Sequence, residues 1–278
     1  MAKDLGKKKD HEQFASRSSE YKRTWHPKHR LFMPKDSAGK WSDINPKSAG
    51  GLGFRDYFDE NNGWTYAWLV QHDIPGLMEL LGGPKALAAR LDQLFREPLG
   101  MKRSDFYVNG SNSTGMVGQF SMGNEVSFHI PYLYNHCGAP WKTQQRTRFL
   151  LEVWFKDNIF ETPGDEDGGA LGAWVVFTSM GFYPVTPGIP VYTITSPIFS
   201  EVAIQLPENR VFKVSAPGSS RRNKYIQSAR LNGEVLYRPF ITHNQIMVGG
   251  ELTLELGEKP NRAWGSLAGR RALEVDQK

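Results

Sequence analysis

The chain has 278 residues, of which 39% are hydrophobic and 23% charged, a composition typical of a folded protein with a sizeable core. Its net charge of +5 comes largely from lysines near its start and from Arg221, Arg222 and Lys224. Because no basic helix or aromatic RNA-binding motif accompanies these residues, we expect no nucleic-acid partner. The single cysteine, Cys137, excludes an internal disulfide and a thiolate zinc site.

The first 22 residues are polar and are typical of the last turns of a helix rather than of the start of a domain. They contain no apolar leader, and no later run reaches the length that spans a bilayer. We therefore expect no membrane partner, and the compartment stays open. The same pattern predicts that the chain begins inside a larger domain.

Apolar residues at helical spacing predict helices over residues 64–82, 84–96, 124–137, 141–157 and 168–180. Pro84 stands at a first-turn position, and Gly181 is a natural C-terminal stop. The first four segments form consecutive pairs, and helix pairs wound about an axis make an (α/α) toroid whose loops gather at one end. We predict that residues 1–185 form part of such a toroid and carry the functional loops.

From residue 186 the pattern changes to short runs that predict strands over residues 191–194, 202–204, 211–214, 225–226 and 252–256. Turn sequences such as Asn232-Gly233 separate them. We predict a small antiparallel β domain over residues 186–265, packed on the helical part, and a loose tail over residues 266–278. The fold class is therefore mainly α with an added β part.

The most informative segment for function is Gly164-Asp165-Glu166-Asp167-Gly168-Gly169, directly ahead of an apolar helix. Three adjacent carboxylates repel one another and are costly to desolvate, whereas hydrolysis of a glycosidic bond needs carboxyl groups. An alternative is helix capping, because acidic side chains favour the free N–H groups of a helix N-terminus. One carboxylate would serve for capping, so three between glycines favour a site.

Glycoside hydrolysis needs a second carboxyl group across the bond, and the candidates are Glu60, Asp73 and Glu125. Glu60 precedes a tryptophan-rich helix start, where apolar surroundings would raise its pKa as a general acid requires. Simpler roles stay open, because Glu60 and Glu125 stand at helix starts and Asp73 can bond within its loop. The residues alone predict a carboxylate-based hydrolase without assigning roles.

Further motifs sharpen this prediction. They are Gly123-Asn124-Glu125, His129-Ile130-Pro131-Tyr132-Leu133-Tyr134-Asn135, Pro140-Trp141-Lys142-Thr143-Gln144 and Met180-Gly181-Phe182-Tyr183-Pro184-Val185. Together with the acidic segment, and in order over roughly residues 16–265, they resemble glycoside hydrolase family 92. The resemblance implies a calcium-dependent exo-α-mannosidase that inverts the anomeric configuration.

The resemblance also implies roles for individual residues. Glu60, in an element similar to the family's Glu-x-Asn-x-Trp, would be the general acid. Asp167 would be the general base, with Asp165 holding the nucleophilic water. The substrate pocket would be lined by Trp64, His72, Asp73, Asn124, Glu125 and Lys142. Calcium would contact the 2- and 3-hydroxyls of mannose, and Glu125 is the metal ligand that we expect.

The chain departs from the family pattern in two segments and in length. Asn61-Asn62-Gly63 stands where the family usually has a small residue followed by Asn ahead of the Trp, and Ala170-Leu171-Gly172-Ala173 stands where polar or Met-Ser residues are common. The family architecture implied by the resemblance places an N-terminal β-sandwich before a toroid of six hairpins, and only the C-terminal part resembles this chain. Two hypotheses stay open. One is an inverting α-mannosidase acting on terminal α-linked mannose of glycans, α-1,2-linked above all. The other is a non-catalytic fragment or sugar-binding remnant that needs the missing N-terminal β-sandwich segment or a second chain.

Overall fold

The computed structural model describes residues 1–48, 57–102, 104, 114–158, 162–164 and 166–266. Within these ranges a helical part comes first and a sheet part follows, as the sequence predicts. No helix in the described ranges is long and apolar enough to cross a bilayer. Apart from residue 266, the tail predicted to be loose lies outside the described residues.

The helices of the first part are short, and several begin at a proline or at a capping side chain. They are α1 (Lys8–Arg17), α2 (Gly63–Tyr66), α3 (Ile74–Leu80), α4 (Pro84–Leu94), α5 (Leu133–His136), α6 (Pro140–Trp154) and α7 (Ala170–Met180). Both α4 and α6 start at proline, and Leu87, Leu91 and Leu94 of α4 are fully buried. The helix α7 ends at Gly181, whose φ is 100°. The predictions for these three helices are confirmed.

Two other predicted helices are interrupted, each at a segment that contains a proline. The 64–82 segment divides into α2 and α3. Pro75 has no backbone N–H to bond to the preceding turn, so it can stand in the first turn of α3 but not in the interior of one continuous helix. The 124–137 segment forms two 3₁₀ turns, Glu125–Ser127 and Ile130–Tyr132, before α5, and Pro131 lies in the second turn. The continuous helices predicted there are therefore wrong.

Aromatic side chains form the core of the helical part. Trp68, Trp174, Tyr132 and Tyr134 are each at most 2% exposed. The Trp174 indole N–H donates to a backbone carbonyl of the 124–137 segment at 3.1 Å, and the Tyr132 hydroxyl bonds to Thr178 Oγ1 at 2.5 Å. These bonds hold α7 against that segment, and therefore hold the acidic loop that precedes α7 beside it.

The strands follow a similar chain order to that predicted. They are β1 (Trp25–His26), β2 (Leu31–Phe32), β3 (Met116–Val117), β4 (Phe120–Ser121), β5 (Phe182–Tyr183), β6 (Val191–Ile194), β7 (Glu201–Gln205), β8 (Val211–Ser215), β9 (Tyr225–Leu231), β10 (Glu234–Val235), β11 (Phe240–Thr242) and β12 (Gly250–Gly257). A helical turn, α8 (His243–Met247), precedes β12. The strands β1 with β2 and β3 with β4 form short ribbons in the helical part.

The remaining strands form a five-stranded sheet, β10-β9-β12-β8-β7, and a three-stranded sheet, β11-β6-β5. The predicted antiparallel arrangement is wrong for one pair, because β12 lies parallel to β8, with Leu252 opposite Val214. After β8 the chain passes through β9, β10, β11 and α8 and returns to the end of the sheet at which β8 starts. The strand β12 can therefore run in the same direction as β8. The strand β5 precedes the predicted boundary at residue 185 and pairs with β6 after it.

Polar side chains of α6 join the helical part to the sheets. Gln144 Oε1 accepts a hydrogen bond from the N–H of Ile226 at 3.0 Å, and Thr147 bonds to Thr195 at 2.7 Å. Arg148, 8% exposed, donates to two backbone carbonyls on the sheet side. The sheet part therefore lies against α6. That the helices form part of a toroid stays a prediction.

Candidate active site

Three carboxyl groups from separate segments meet beside one buried amide. Asn124, 1% exposed, donates from Nδ2 to Glu60 Oε2 and to Glu125 Oε2, each at 3.1 Å. The carboxyl groups of Glu60 and Asp167 also lie near enough to that of Glu125 to help raise its pKa. The structure thus brings four of the predicted site residues together. Glu60, Glu125 and Asp167 are called the carboxyl cluster below.

The start of α2 places Glu60. Asn62 caps this helix, its Oδ1 accepting from two backbone N–H groups of the first turn at 3.0 and 3.2 Å. The N–H of Glu60 itself donates to the Tyr66 hydroxyl at 2.9 Å. Because Asn62 serves as the cap, the Glu60 carboxylate is not needed for capping and bonds to Asn124 instead.

Two glycines allow the segments of Glu125 and Asp167 to touch. A Cβ atom on Gly123 would lie 2.8 Å from the backbone N of Gly164 and 2.9 Å from its Cα. Distances under 3.0 Å are essentially never seen for real Cβ atoms. The backbones therefore meet only because both residues lack a side chain. Glu125 and Asp167 follow these glycines by two and three residues.

Of the acidic run Asp165, Glu166 and Asp167, the two residues that the structure describes differ in their surroundings. Asp165 lies outside the described residues. Glu166 caps α7, with Oε1 accepting from the N–H of Gly172 at 3.0 Å and Oε2 accepting from the N–H of Gly169. Asp167 has a φ of 52°, a left-handed conformation uncommon for residues with a side chain, and lies near Glu125. The capping alternative thus applies to Glu166, and the site alternative fits Asp167.

The carboxyl cluster changes the acidity of Glu125. Burial, and then the neighbouring carboxyl groups of Glu60 and Asp167, raise the pKa of Glu125 to about 7. A second negative charge at short range disfavours ionisation, as does loss of water. Near neutral pH Glu125 is therefore present in both its protonated and its ionised form. Such a group can donate or accept a proton, as glycoside hydrolysis requires of its carboxyl groups.

A chain of buried amides lies behind the cluster. Asn61 Nδ2 donates to Asn124 Oδ1 at 3.3 Å, and Asn62 Nδ2 donates to Gln119 Oε1 at 2.7 Å. All four side chains are at most 1% exposed. Sequence reasoning assigned no role to Asn61 or Gln119. The one signal was that Asn61 stands where the family has a small residue.

Trp64 is packed within the protein. It is 6% exposed, and the guanidinium carbon of Arg90 lies 3.9 Å from the centre of its ring. Burial lowers the pKa of Arg90 to about 10, and Arg90 donates to the carbonyl of His29 at 3.3 Å. This contact covers one face of the indole. A substrate-binding role for Trp64 stays a prediction.

Three other predicted site residues have partners outside the cluster. Asp73 caps α3 and accepts a hydrogen bond from the Tyr21 hydroxyl at 2.7 Å. His72 bonds to a backbone carbonyl at 2.9 Å, and Lys142 forms an ion pair with Asp92. Among the described residues, none of these bonds reaches the carboxyl cluster. Substrate binding by His72, Asp73 and Lys142 therefore stays a prediction.

The carboxyl cluster has the type of ligand that calcium takes. Ca²⁺ binds oxygen atoms of carboxylates, amides and backbone carbonyls, and the expected ligand Glu125 lies in the cluster. In the described part of the chain, however, no three His, Cys, Asp or Glu side chains are arranged to hold a metal ion. A calcium site here would need amide or backbone oxygens, or sugar hydroxyls, to complete it.

Sequence comparisons point to one family of glycosidases. The profile described as the Glycosyl hydrolase family 92 catalytic domain matches residues 1–258. A protein of Arthroderma benhamiae, described as an uncharacterized secreted glycosidase, is 34% identical over 210 residues. That alignment covers 74% of this chain and 24% of the fungal protein.

Solved structures from Bacteroides thetaiotaomicron share the fold. A family GH92 alpha-mannosidase aligns with a TM-score of 0.83 at 27% identity, over 95% of this chain and 33% of that protein. A structure described as its complex with mannoimidazole gives a TM-score of 0.86. A family GH92 inverting mannosidase has a TM-score of 0.81 at 35% identity, over 95% of this chain and 36% of its own.

This chain spans between about a quarter and about a third of the length of these relatives. Its mixed helix and sheet architecture is similar to theirs over nearly all of its residues. Because the family profile matches residues 1–258 of 278, the chain belongs to glycosyl hydrolase family 92.

Proposed function

We propose that the chain carries the acid and base groups of an inverting exo-α-mannosidase that removes terminal α-linked mannose, α-1,2-linked above all, from glycans. The observation that carries this proposal is the carboxyl cluster, in which Asn124 joins Glu60 to Glu125. Burial, together with the neighbouring carboxyl groups of Glu60 and Asp167, raises the pKa of Glu125 to about 7. Two relatives of similar fold are described as mannosidases, which supports mannose as the sugar.

In the proposed reaction Glu60 is the general acid and Asp167 the general base. The glycosidic oxygen takes a proton from Glu60 as its bond to the anomeric carbon breaks. Water attacks that carbon from the opposite face and gives its proton to Asp167, while Asp165 helps to hold the water. Asn124 donates an N–H to Glu60 and so fixes the position of the acid.

Inversion is supported by one relative and by the arrangement of the carboxyl groups. Inverting enzymes hold their two carboxyl groups roughly 6.5–9.5 Å apart, which leaves room for a water molecule, whereas about 5 Å is typical of retaining enzymes. Here a third carboxyl group, that of Glu125, neighbours both Glu60 and Asp167, as expected if these two do not touch each other. The relative with 35% identity is described as inverting.

We propose calcium as the cofactor, with Glu125 as a ligand and sugar hydroxyls among the others. Bound calcium would hold the 2- and 3-hydroxyls of mannose and favour a distorted, oxocarbenium-like ring. The chemistry of the cluster supports cation binding, because a divalent cation relieves the repulsion between three acidic groups. Trp64, His72, Asp73 and Lys142 stay proposed contacts to the substrate.

Activity of this chain by itself is a separate part of the proposal, because the chain spans about a third of the solved relatives. The family's N-terminal β-sandwich, or a second chain, would complete the cleft. The alternative is a fragment that binds sugar or has no activity. Both readings keep the same carboxyl cluster, so the experiment must separate them.

The proposal is tested by release of mannose from α-1,2-mannobiose by the purified chain, with calcium and with EDTA. We expect calcium-dependent release, with β-mannose as the first product in an NMR time course. Glu60→Gln should abolish release, whereas Glu166→Gln should retain it, because Glu166 caps α7 and the one acceptor oxygen of glutamine keeps one of its two N–H bonds. If no mannose is released in calcium, and none after addition of the N-terminal portion of a family enzyme, the inactive fragment would be favoured.

A further inference from the structure

The side chain of Asn61 links a backbone N–H to the carboxyl cluster through one other amide. Its Oδ1 accepts from the N–H of Asn62 and from the Thr65 hydroxyl, each at 3.0 Å. Its Nδ2 donates to Asn124 Oδ1 at 3.3 Å. Asn61 itself is fully buried. Water therefore cannot substitute for these bonds at low cost.

The orientation of both amides follows from a group that can only donate. The N–H of Asn62 has no acceptor function, so the oxygen of Asn61 must face it. The nitrogen of Asn61 then points towards Asn124 and requires an acceptor there. This requirement turns the oxygen of Asn124 towards Asn61 and leaves both of its N–H groups for the cluster.

Without Asn61 the direction of the Asn124 amide is poorly determined. The oxygen and nitrogen of an amide are nearly equal in size, so the shape of the pocket does not select one orientation. A flipped Asn124 would place an oxygen, which cannot donate, beside Glu60 Oε2 and Glu125 Oε2, so both would lose their N–H donor. A protonated Glu60 would then direct its O–H at Asn124 instead of at the glycosidic oxygen, and an ionised Glu60 would be repelled.

We propose that Asn61 is a positioning residue for hydrolysis, which fixes the Asn124 amide so that its two N–H groups hold Glu60 and Glu125. This inference rests on the proposed function, since positioning matters only to a reacting group.

The experiment compares Asn61→Ala, Asn124→Ala and the double variant in the mannobiose assay. We expect Asn61→Ala to lower kcat by about 10- to 100-fold with KM close to the wild-type value, as loss of catalytic geometry predicts. In the Asn124→Ala background, Asn61→Ala should cause no further loss of kcat, because Asn61 acts through Asn124. Additive losses, or an unchanged kcat in Asn61→Ala, would overturn the proposal.

Thr65→Val is the matched control for a merely structural effect. It removes the hydroxyl that donates to Asn61 at 3.0 Å but keeps the N–H of Asn62, so the orientation of Asn61 is retained. We expect Thr65→Val to lower the melting temperature and to leave kcat unchanged. If Thr65→Val and Asn61→Ala reduce kcat alike, the positioning role is wrong.

A second readout does not depend on activity. The side-chain amide of Asn124 gives an NMR signal that can be assigned by its loss in Asn124→Ala. We expect this signal to exchange slowly with solvent in the wild type and faster in Asn61→Ala. If the wild type releases no mannose, the proposed function fails for this chain, and the exchange rate of the Asn124 amide becomes the test of the role of Asn61. Faster exchange in Asn61→Ala would support the view that Asn61 fixes the Asn124 amide, and an unchanged exchange rate would contradict it.

Discussion

Replacing Gly123 by alanine tests whether contact between two loops builds the carboxyl cluster. The new Cβ would overlap Thr114 Oγ1 and would lie 2.8 Å from the N of Gly164 and 2.9 Å from its Cα, whereas ordinary contact begins near 3.4 Å. The Thr114 hydroxyl would have to turn away, and the two loops would have to separate by roughly 0.5–0.6 Å, the shortfall of the two backbone distances. Gly123 is not among the residues with positive φ, so alanine adds no backbone strain of that kind.

The size of the effect follows from this displacement. Overpacking of a well-packed site costs about 1–3 kcal/mol, and each kcal/mol lowers the melting temperature of a protein of this size by about 2–4 °C. Activity should fall more sharply, because a misplacement of about 1 Å at a catalytic group can cost about 100-fold. About half that displacement gives an expected loss of roughly tenfold in kcat.

The assay pairs calorimetric melting with mannose release, and Gly172→Ala serves as control. Its Cβ would meet only the Glu166 side chain, at 3.0 Å, and alanine within a helix is favoured over glycine. We expect Gly172→Ala to keep or raise the melting temperature. A Gly123→Ala variant with wild-type melting temperature and wild-type kcat would refute the close approach of the two loops.

The remaining predictions concern the junction of the two parts and the response to acid. Arg148→Met should lower the free energy of unfolding by about 1–3 kcal/mol in urea titrations, because the carbonyls of Pro197 and Ser220 lose their charged donor. Arg221→Met on the exposed surface should change it little. Burial lowers the pKa of His129 and His136 to about 4. Between about pH 6.5 and pH 4 the unfolded chain therefore binds more protons than the folded one, and the free energy of unfolding decreases as the pH is lowered through this range. The raised pKa of Glu125 opposes part of this loss. We therefore expect His136→Gln to remove about 2 kcal/mol of the wild-type change in unfolding free energy between pH 7 and pH 5, and an identical pH dependence would contradict the burial of a neutral imidazole.

Local signals in the sequence determined the elements that were predicted well. Proline at the first position and leucines at helical spacing fix α4, and Gly181 fixes the end of α7. The parallel pairing of β12 with β8 depends on contacts between distant segments, so alternation along each strand could not reveal it. Pro75 and Pro131 were local signals for the breaks that sequence reasoning did not use.

The sequence indicated which carboxyl groups belong to the candidate site but not how they are arranged in space. Glu60 and Asp167 followed from the motifs, but which acidic residue of the run caps α7 depends on the turn conformation, and the cap proved to be Glu166. Asp73 precedes Ile-Pro at a helix start, a pattern typical of an N-cap, and the structure gives it that role. The link through Asn61 and Asn124 joins residues 63 positions apart, which no local pattern can indicate.

Whether Asp167 acts as the general base is tested by comparing mannose release by the wild type and by Asp167→Asn in calcium. We expect the wild type to release β-mannose and the variant to lose about 10²- to 10⁴-fold in rate, the usual contribution of a general base, while it still binds the sugar. Undiminished release by Asp167→Asn would remove Asp167 from the proposed mechanism.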